Sequence, residues 1–126
     1  MRKPFRERLE EGTVLFDGGM GTMLYTKGIY INTCFDELNI TAPHLVRQVH
    51  DEYLRAGADA IETNTFGASS YKLEPFGLAQ KLHEINLRGA QIAREAAGDD
   101  VYVAGAIGPL GVPIEPIGRV GFDEAR

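Results

Sequence analysis

The chain has few residues that could stabilise it covalently: its 126 residues include one cysteine and no tryptophan. Cys34 cannot form a disulfide within the chain, which excludes the disulfide-rich class of small secreted domains. A single cysteine also excludes a metal site built from several thiolates of these residues. Because no other ligand-type side chain is predicted beside it, we expect Cys34 to be a semi-buried free thiol rather than a nucleophile or a zinc ligand.

Long apolar runs and an excess of positive charge are absent as well. No stretch reaches the roughly 18 to 20 apolar residues that a membrane-spanning helix needs, and the N-terminus lacks the apolar region of a signal peptide. Thirteen Lys and Arg against eighteen Asp and Glu give a net charge of −5, with no basic stripe to neutralise phosphates. The sequence therefore predicts a cytoplasmic protein that binds neither membranes nor nucleic acids.

What the sequence does contain is an alternation of strand and helix patterns. Apolar and β-branched residues predict three strands, at 13–16, 58–66 and 101–107. Periodic apolar residues predict a lead-in helix near 5–9, a short helix at 22–27 and two longer helices at about 41–56 and 78–97. Thr41 and Pro43 suit the start of the first long helix, and Val46, Val49 and Tyr53 share its apolar face.

Strands separated by such helices are expected to be parallel neighbours, which fits a doubly wound sheet or a (β/α)8 barrel. Glu62 and Asn64 would share one side of the second strand, and burying both is costly in a sheet that helices cover on both faces. A barrel tolerates them at its C-terminal mouth, where Asp17 would also lie. We therefore expect an α/β fold in which residues 1–126 are the N-terminal portion, about three βα units, of one (β/α)8 barrel domain.

Close packing of the last long helix on a sheet is predicted where Gly89 interrupts its apolar seam, since glycine otherwise weakens a helix there by about 1 kcal/mol. Asp17-Gly18-Gly19-Met20-Gly21 fits neither the dinucleotide nor the P-loop fingerprint. It is either a ligand loop whose carboxylate meets an ammonium group or a plain tight turn. Glu62-Thr63-Asn64 would line a site or form a structural network. The three histidines are predicted on helix surfaces: His44, His50 and His83.

Three segments in order resemble the start of the homocysteine S-methyltransferase family: Leu15–Thr22, Ala56–Ala68 and Ala104–Pro109. The intervening stretch at 35–39 is similar too. The resemblance implies a (β/α)8 barrel that transfers a methyl group to the sulfur of homocysteine, giving methionine. The sequence at 62–66 is most similar to the homocysteine module of cobalamin-dependent methionine synthases, and to bacterial enzymes that fuse such a module to a methylenetetrahydrofolate reductase.

In that family a zinc ion held by three cysteines binds the homocysteine sulfur and favours the thiolate that attacks the methyl donor. The resemblance places those cysteines on later strands, so we expect no metal ligand and no catalytic residue within 1–126, and no activity from these residues alone. Residue by residue, it implies that this segment supplies part of the amino-acid pocket. The implied substrate-binding residues are Asp17, Gly18, Gly19, Glu62, Thr63 and Asn64.

The partners that the resemblance implies are homocysteine and the remaining barrel strands or further domains of a longer chain. The methyl donor stays open among methylcobalamin charged from methyltetrahydrofolate, S-methylmethionine and betaine, with a slight preference for cobalamin or folate. Two other hypotheses also stand. The chain could be a non-catalytic module whose open sheet needs a partner, or its polar strand ends could serve different chemistry in another barrel enzyme.

Overall fold

A small parallel sheet lies at the centre of the computed structural model, which describes residues 1–126. Strand β1 (Ala60–Glu62) pairs in parallel with β2 (Tyr102–Ala104), with Ile61 opposite Val103. On the other side of β1, Phe16 forms a parallel bridge with Ala60. The predicted parallel order of the three segments is therefore confirmed.

The strands are shorter than predicted, and the first is reduced to that one bridge. The N–H of Leu15 donates to Oδ2 of Asp59 at 2.9 Å, and the Leu15 carbonyl accepts from the N–H groups of both Asp59 and Ala60. A side chain thus takes the place of a backbone partner, which interrupts the ladder. The expected strand at 13–16 is wrong in its extent, although its position beside β1 is right.

Seven helices surround the strands, joined by three short 3₁₀ turns. The helices are α1 (Phe5–Glu10), α2 (Gly21–Thr26), α3 (Leu38–Thr41), α4 (Pro43–Arg55), α5 (Ser70–Leu73), α6 (Leu82–Ala97) and α7 (Phe122–Ala125). The 3₁₀ turns are Phe35–Glu37, Glu74–Phe76 and Ala79–Lys81. None of these helices combines the length and the apolar character that crossing a membrane requires.

Two predicted helix starts are wrong. Thr41 does not cap α4, because it ends α3 and its hydroxyl donates to the Glu37 carbonyl at 3.2 Å. Ala42 occupies the N-cap position instead and offers no side-chain oxygen, while Pro43 is the first helical residue as expected. The second long helix begins at Leu82 rather than at 78, since a 3₁₀ turn occupies the residues before it.

The core is formed where α4 and α6 pack on each other and on β1. Leu24, Val46, Val49 and Ile92 belong to one buried cluster between these helices and α2. Gly89 is closely packed as predicted, but not against the sheet, because a Cβ there would lie 2.7 Å from Asn39 Nδ2 and 2.8 Å from Thr65 Cγ2. The neighbours are α3 and the loop after β1, so α6 needs glycine for contacts beyond the sheet itself.

The surface prediction for the histidines is right for two and wrong for one. His44 and His83 are exposed, whereas His50 is fully buried on the inner side of α4. Neither ring nitrogen of His50 has a hydrogen-bond partner. The helical spacing placed His50 one position after Val49, at the border of the apolar face, and close packing of α4 against its neighbours covers that border.

The N-terminal edge of the sheet is covered by α1 and by aromatic packing. The Phe5 ring meets Phe16 edge-on at 6.3 Å and Tyr102 at 5.2 Å between ring centroids. The Tyr102 hydroxyl donates to the Lys3 carbonyl at 2.6 Å. The loops that follow Phe16, β1 and β2 leave from the opposite edge, where parallel strands place their sites.

Candidate functional site

A cavity of about 460 Å³ opens at the C-terminal edge of the sheet. Its wall is formed largely by the loop after Phe16, the segment at 31–36 and the loop after β1. All six residues predicted to bind substrate lie in this wall: Asp17, Gly18, Gly19, Glu62, Thr63 and Asn64. Their contribution to ligand binding stays a prediction, but the fold brings them to one place.

Asp17 is held by the end of β1. Its backbone N–H donates to the Ala60 carbonyl at 3.0 Å, and its Oδ2 accepts from the Glu62 N–H at 3.1 Å. Its Oδ1 is buried and has no hydrogen-bond partner. Burial raises the pKa of Asp17 to about 6, the Glu62 N–H opposes that rise, and the charge of Glu62 adds to it. At neutral pH the carboxyl is therefore ionised with one oxygen unpaired.

Close packing explains the glycines that follow Asp17. A Cβ on Gly18 would lie 3.0 Å from the Tyr53 hydroxyl oxygen, and one on Gly19 would lie 2.8 Å from Thr22 Oγ1. Neither glycine has a positive φ, so space rather than backbone conformation requires them here. The Asp17 side chain accepts from the Glu62 N–H at the end of β1, so it links the glycine loop to the sheet.

Glu62 and Asn64 both lie in the cavity wall, but they differ in exposure. Strand β1 ends at Glu62, and the period of two ends with it. The Glu62 side chain is exposed at the cavity and forms no ion pair, while Asn64 is buried. The Asn64 amide donates to the Phe35 carbonyl at 2.9 Å and to Asn39 Oδ1 at 3.1 Å.

Thr63 joins the end of β1 to the loop after β2. Its hydroxyl oxygen accepts from the Ala106 N–H at 3.0 Å and lies 2.6 Å from Thr65 Oγ1. The Thr65 hydroxyl in turn donates to the Ala106 carbonyl at 2.8 Å. For Thr63 and Asn64 the geometry favours the structural network that was one of the two alternatives, although both also reach the cavity wall. Glu62 is not part of that network, since its N–H donates to Asp17.

Sequence reasoning assigned no role to two charged residues of the wall, Asp36 and Lys72. Asp36 is 9% exposed, its Oδ1 accepts from the Gly67 N–H at 3.1 Å, and burial raises its pKa. Lys72 is the one cationic side chain in the wall and forms no ion pair. The similar stretch at 35–39 was the available signal for Asp36, whereas the short helix α5 that carries Lys72 left none.

The residues of this chain do not form a metal site. No group of three or more His, Cys, Asp or Glu side chains is arranged to hold an ion. Cys34 is buried in the cavity wall and free, as expected for a semi-buried thiol. Burial raises the pKa of Cys34, so its sulfur stays protonated at neutral pH. The donor set that zinc requires, three or four Cys, His or carboxylate ligands, is therefore not assembled by these residues.

Two curated relatives match nearly the whole chain. Methionine synthase of Mycobacterium leprae is 32% identical over 132 residues, which cover 95% of this chain and 11% of the relative. Methionine synthase of Mycobacterium tuberculosis is 31% identical over 130 residues, which cover 94% of this chain and 11% of the relative. The chain thus spans about a tenth of the length of these proteins.

Solved structures and a family model agree with these relatives. The metallated form of the homocysteine methyltransferase MmuM from Escherichia coli superposes with a TM-score of 0.74 at 27% identity, covering 86% of this chain and 42% of that one. Its oxidised form gives the same TM-score over 87% and 42%. Residues 14–126 match the model of the homocysteine S-methyltransferase family. With nine-tenths of its residues inside that match, the chain belongs to the homocysteine S-methyltransferase family.

Proposed function

We propose that this chain is part of an enzyme that transfers a methyl group to the sulfur of homocysteine, and that its cavity binds the amino-acid end of that substrate. The observation that carries the proposal is the state of Asp17. Its carboxyl lies at the cavity, one oxygen is buried without a partner, and the other is already fixed by the Glu62 N–H. The carboxylate has no cationic partner in the chain, and an ammonium group in the cavity supplies that charge.

The charges around the cavity suit an amino acid. Asp17 and Glu62 form an acidic pair at the end of the sheet, where both can face one ammonium group, and Lys72 is available to an anionic group. The pKa of Asp17, about 6, leaves the carboxyl ionised at pH 7, so it attracts a cation. Within these residues the chemistry is therefore binding and orientation of the substrate, and no side chain here is placed as nucleophile or proton donor.

We extend the proposal to the fold around this segment. Residues 1–126 would form the first βα units of a (β/α)8 barrel in a single homocysteine-binding domain of a cytoplasmic enzyme. Exposed apolar side chains beside the sheet support it, since Leu15 is 54% and Ile107 95% exposed, and further strands would cover such residues. The limited share of the relatives' length that the chain spans also supports it.

The other groups of the reaction belong to residues outside 1–126 in this proposal. Zinc would be held by cysteines that these residues do not include, and the methyl group would come from cobalamin or methyltetrahydrofolate. The 126 residues by themselves would then be inactive. The competing idea, a non-catalytic module that covers its open sheet with a partner, explains the exposed apolar residues as well. It gives no reason for a carboxylate in a cavity wall with no cationic partner.

The test is the affinity of the complete protein for L-homocysteine, measured by calorimetry in the wild type and in Asp17→Asn. Loss of a charge-assisted hydrogen bond costs about 1.5–3 kcal/mol, which predicts roughly 10- to 100-fold weaker binding. Asp123→Asn is the matched control, because Asp123 is exposed and forms no hydrogen bond through its side chain. Equal affinity in the wild type and in Asp17→Asn would remove Asp17 from the site.

A further inference from the structure

Tyr53 of α4 supports the glycine loop from behind the cavity wall. Its hydroxyl donates to the Gly19 carbonyl at 2.8 Å. Its ring lies directly against Gly18, where a Cβ would come within 3.0 Å of the hydroxyl oxygen and 3.3 Å of ring carbon Cε1. Gly18 and Gly19 face the cavity, whereas Tyr53 is not part of its wall. A single backbone segment, Gly18 and Gly19, therefore separates Tyr53 from the space that a ligand would occupy.

The packing of helix α4 against its neighbours fixes the position of Tyr53. Val46 and Val49 are fully buried against α2 and α6, and the Tyr53 ring packs on the same cluster. Next to Tyr53, Glu52 forms an ion pair with Lys27 at the end of α2. Two consecutive residues of α4 thus hold both ends of the segment that runs from the glycine loop through α2.

Asp17 lies between this support and the sheet. On one side its Oδ2 is fixed by the Glu62 N–H at 3.1 Å, and on the other its chain continues into Gly18 and Gly19. The hydrogen bond from the Glu62 N–H alone would leave the glycine loop free to move, because a glycine backbone has few intrinsic restraints. The Tyr53 contact supplies the second restraint on the position of the carboxyl group.

We propose that Tyr53 is a positioning residue for the substrate site: its hydrogen bond to Gly19 and its packing on Gly18 hold the Asp17 carboxylate in place for the ammonium group of the amino-acid ligand. The inference rests on the proposed function. The donor is present at any physiological pH, because burial and the neighbouring charges of Asp17 and Glu52 raise the pKa of Tyr53 above its ordinary value.

The first test compares wild-type protein with Tyr53→Phe, which keeps the ring and removes the hydroxyl. We expect the dissociation constant for L-homocysteine to rise about fivefold, as for loss of one neutral hydrogen bond. The turnover number should change little, because Tyr53 touches no reacting atom. Tyr30→Phe is the matched control, since the Tyr30 side chain is 77% exposed and its hydroxyl has no partner.

The pH dependence of binding separates positioning from a purely structural role. In the wild type the affinity should fall as the pH drops through about 6, where Asp17 becomes neutral. Loosening the loop in Tyr53→Phe lets water reach that carboxyl, so the fall should move to lower pH. A destabilised but otherwise normal site would keep its midpoint. Unchanged affinity together with an unchanged midpoint would overturn the assignment.

A double-mutant cycle tests the contact itself. Gly18→Ala places its Cβ against the Tyr53 hydroxyl and should weaken homocysteine binding by pushing the loop away from α4. In the presence of Tyr53→Phe the oxygen is gone, so the second change should cost less than it does alone. Strict additivity would contradict the proposal. Failure of the wild type to bind homocysteine would overturn the proposed function and this inference together, whereas normal wild-type binding with an unaffected cycle would overturn this inference alone.

Discussion

The burial of His50 predicts a loss of stability in mild acid. The side chain is fully buried with no partner for either nitrogen. Burial lowers its pKa from 6.5 to about 4, with the charge of Arg47 acting in the same direction and Asp51 opposing it. Between these two values the unfolded chain binds a proton at His50 and the folded chain does not. The stability contributed by neutral His50 is therefore fully present above pH 6.5 and falls as the pH drops toward 4.

The size of the effect follows from the two pKa values. A group that titrates at 6.5 when unfolded and at about 4 when folded lowers the free energy of unfolding by ~2 kcal/mol between pH 7.5 and pH 5.0. Asp17 acts in the opposite direction, because its raised pKa makes the folded state bind the extra proton below about pH 6. Only the difference between the wild type and a His50 variant isolates the histidine.

His50→Leu is the informative variant, since leucine has a similar volume and no polar atom to leave unpaired. It should remove the His50 part of the acid sensitivity and raise stability at pH 7.5 by ~1–3 kcal/mol, the cost of a buried unsatisfied polar group. Urea-dependent hydrogen exchange in α4 peptides measures both quantities in the complete protein. His83→Leu on the exposed face of α6 is the control. If His50→Leu loses as much stability between pH 7.5 and 5.0 as the wild type does, His50 is not a source of the acid sensitivity.

Two further predictions concern packing. Gly89→Ala should destabilise the chain by about 1–3 kcal/mol, despite the better helix propensity of alanine, because its Cβ would press on Asn39. Homocysteine binding should also weaken, because the contacts between Asn39 and Asn64 would shift. Gln91→Ala serves as its control, and a gain in stability would contradict the packing argument. Phe5→Ala should lower stability by about 1–2 kcal/mol through lost aromatic packing. It should leave homocysteine affinity unchanged, since α1 covers the edge of the sheet opposite the cavity. A changed dissociation constant in calorimetry would contradict this position of α1 relative to the binding site.

Periodicity located the long helices well and the strands only approximately. Val46, Val49 and Ile92 lie in the core as their spacing indicates, because an amphipathic helix repeats its pattern over several turns. The strands contain three residues each, too few for a period of two to be visible. The limits of the strands depend on contacts such as Asp59 to Leu15, which a local pattern does not contain.

The residues of the candidate site could likewise be predicted only in part. Asp17 and Glu62 could be predicted because each stands where a strand ends, and parallel strands bring such ends together. Asp36 accepts from the Gly67 N–H, 31 residues away, and Tyr53 donates to a carbonyl 34 residues away. The helical spacing predicts Tyr53 on an apolar helix face, which accounts for the packing of its ring. The reach of its hydroxyl follows only from how α4 is docked.

The role of Asp17 is measured most directly by comparing two ligands that differ only in the ammonium group. L-homocysteine and 4-mercaptobutanoic acid, which lacks that group, would be titrated into the complete wild-type protein and into Asp17→Asn at pH 7.5. If Asp17 binds the ammonium group, the wild type should prefer homocysteine by roughly 10-fold or more, and Asp17→Asn should lose most of that preference. Equal binding of the two ligands by the wild type, or an equal preference in both proteins, would show that Asp17 does not bind the ammonium group.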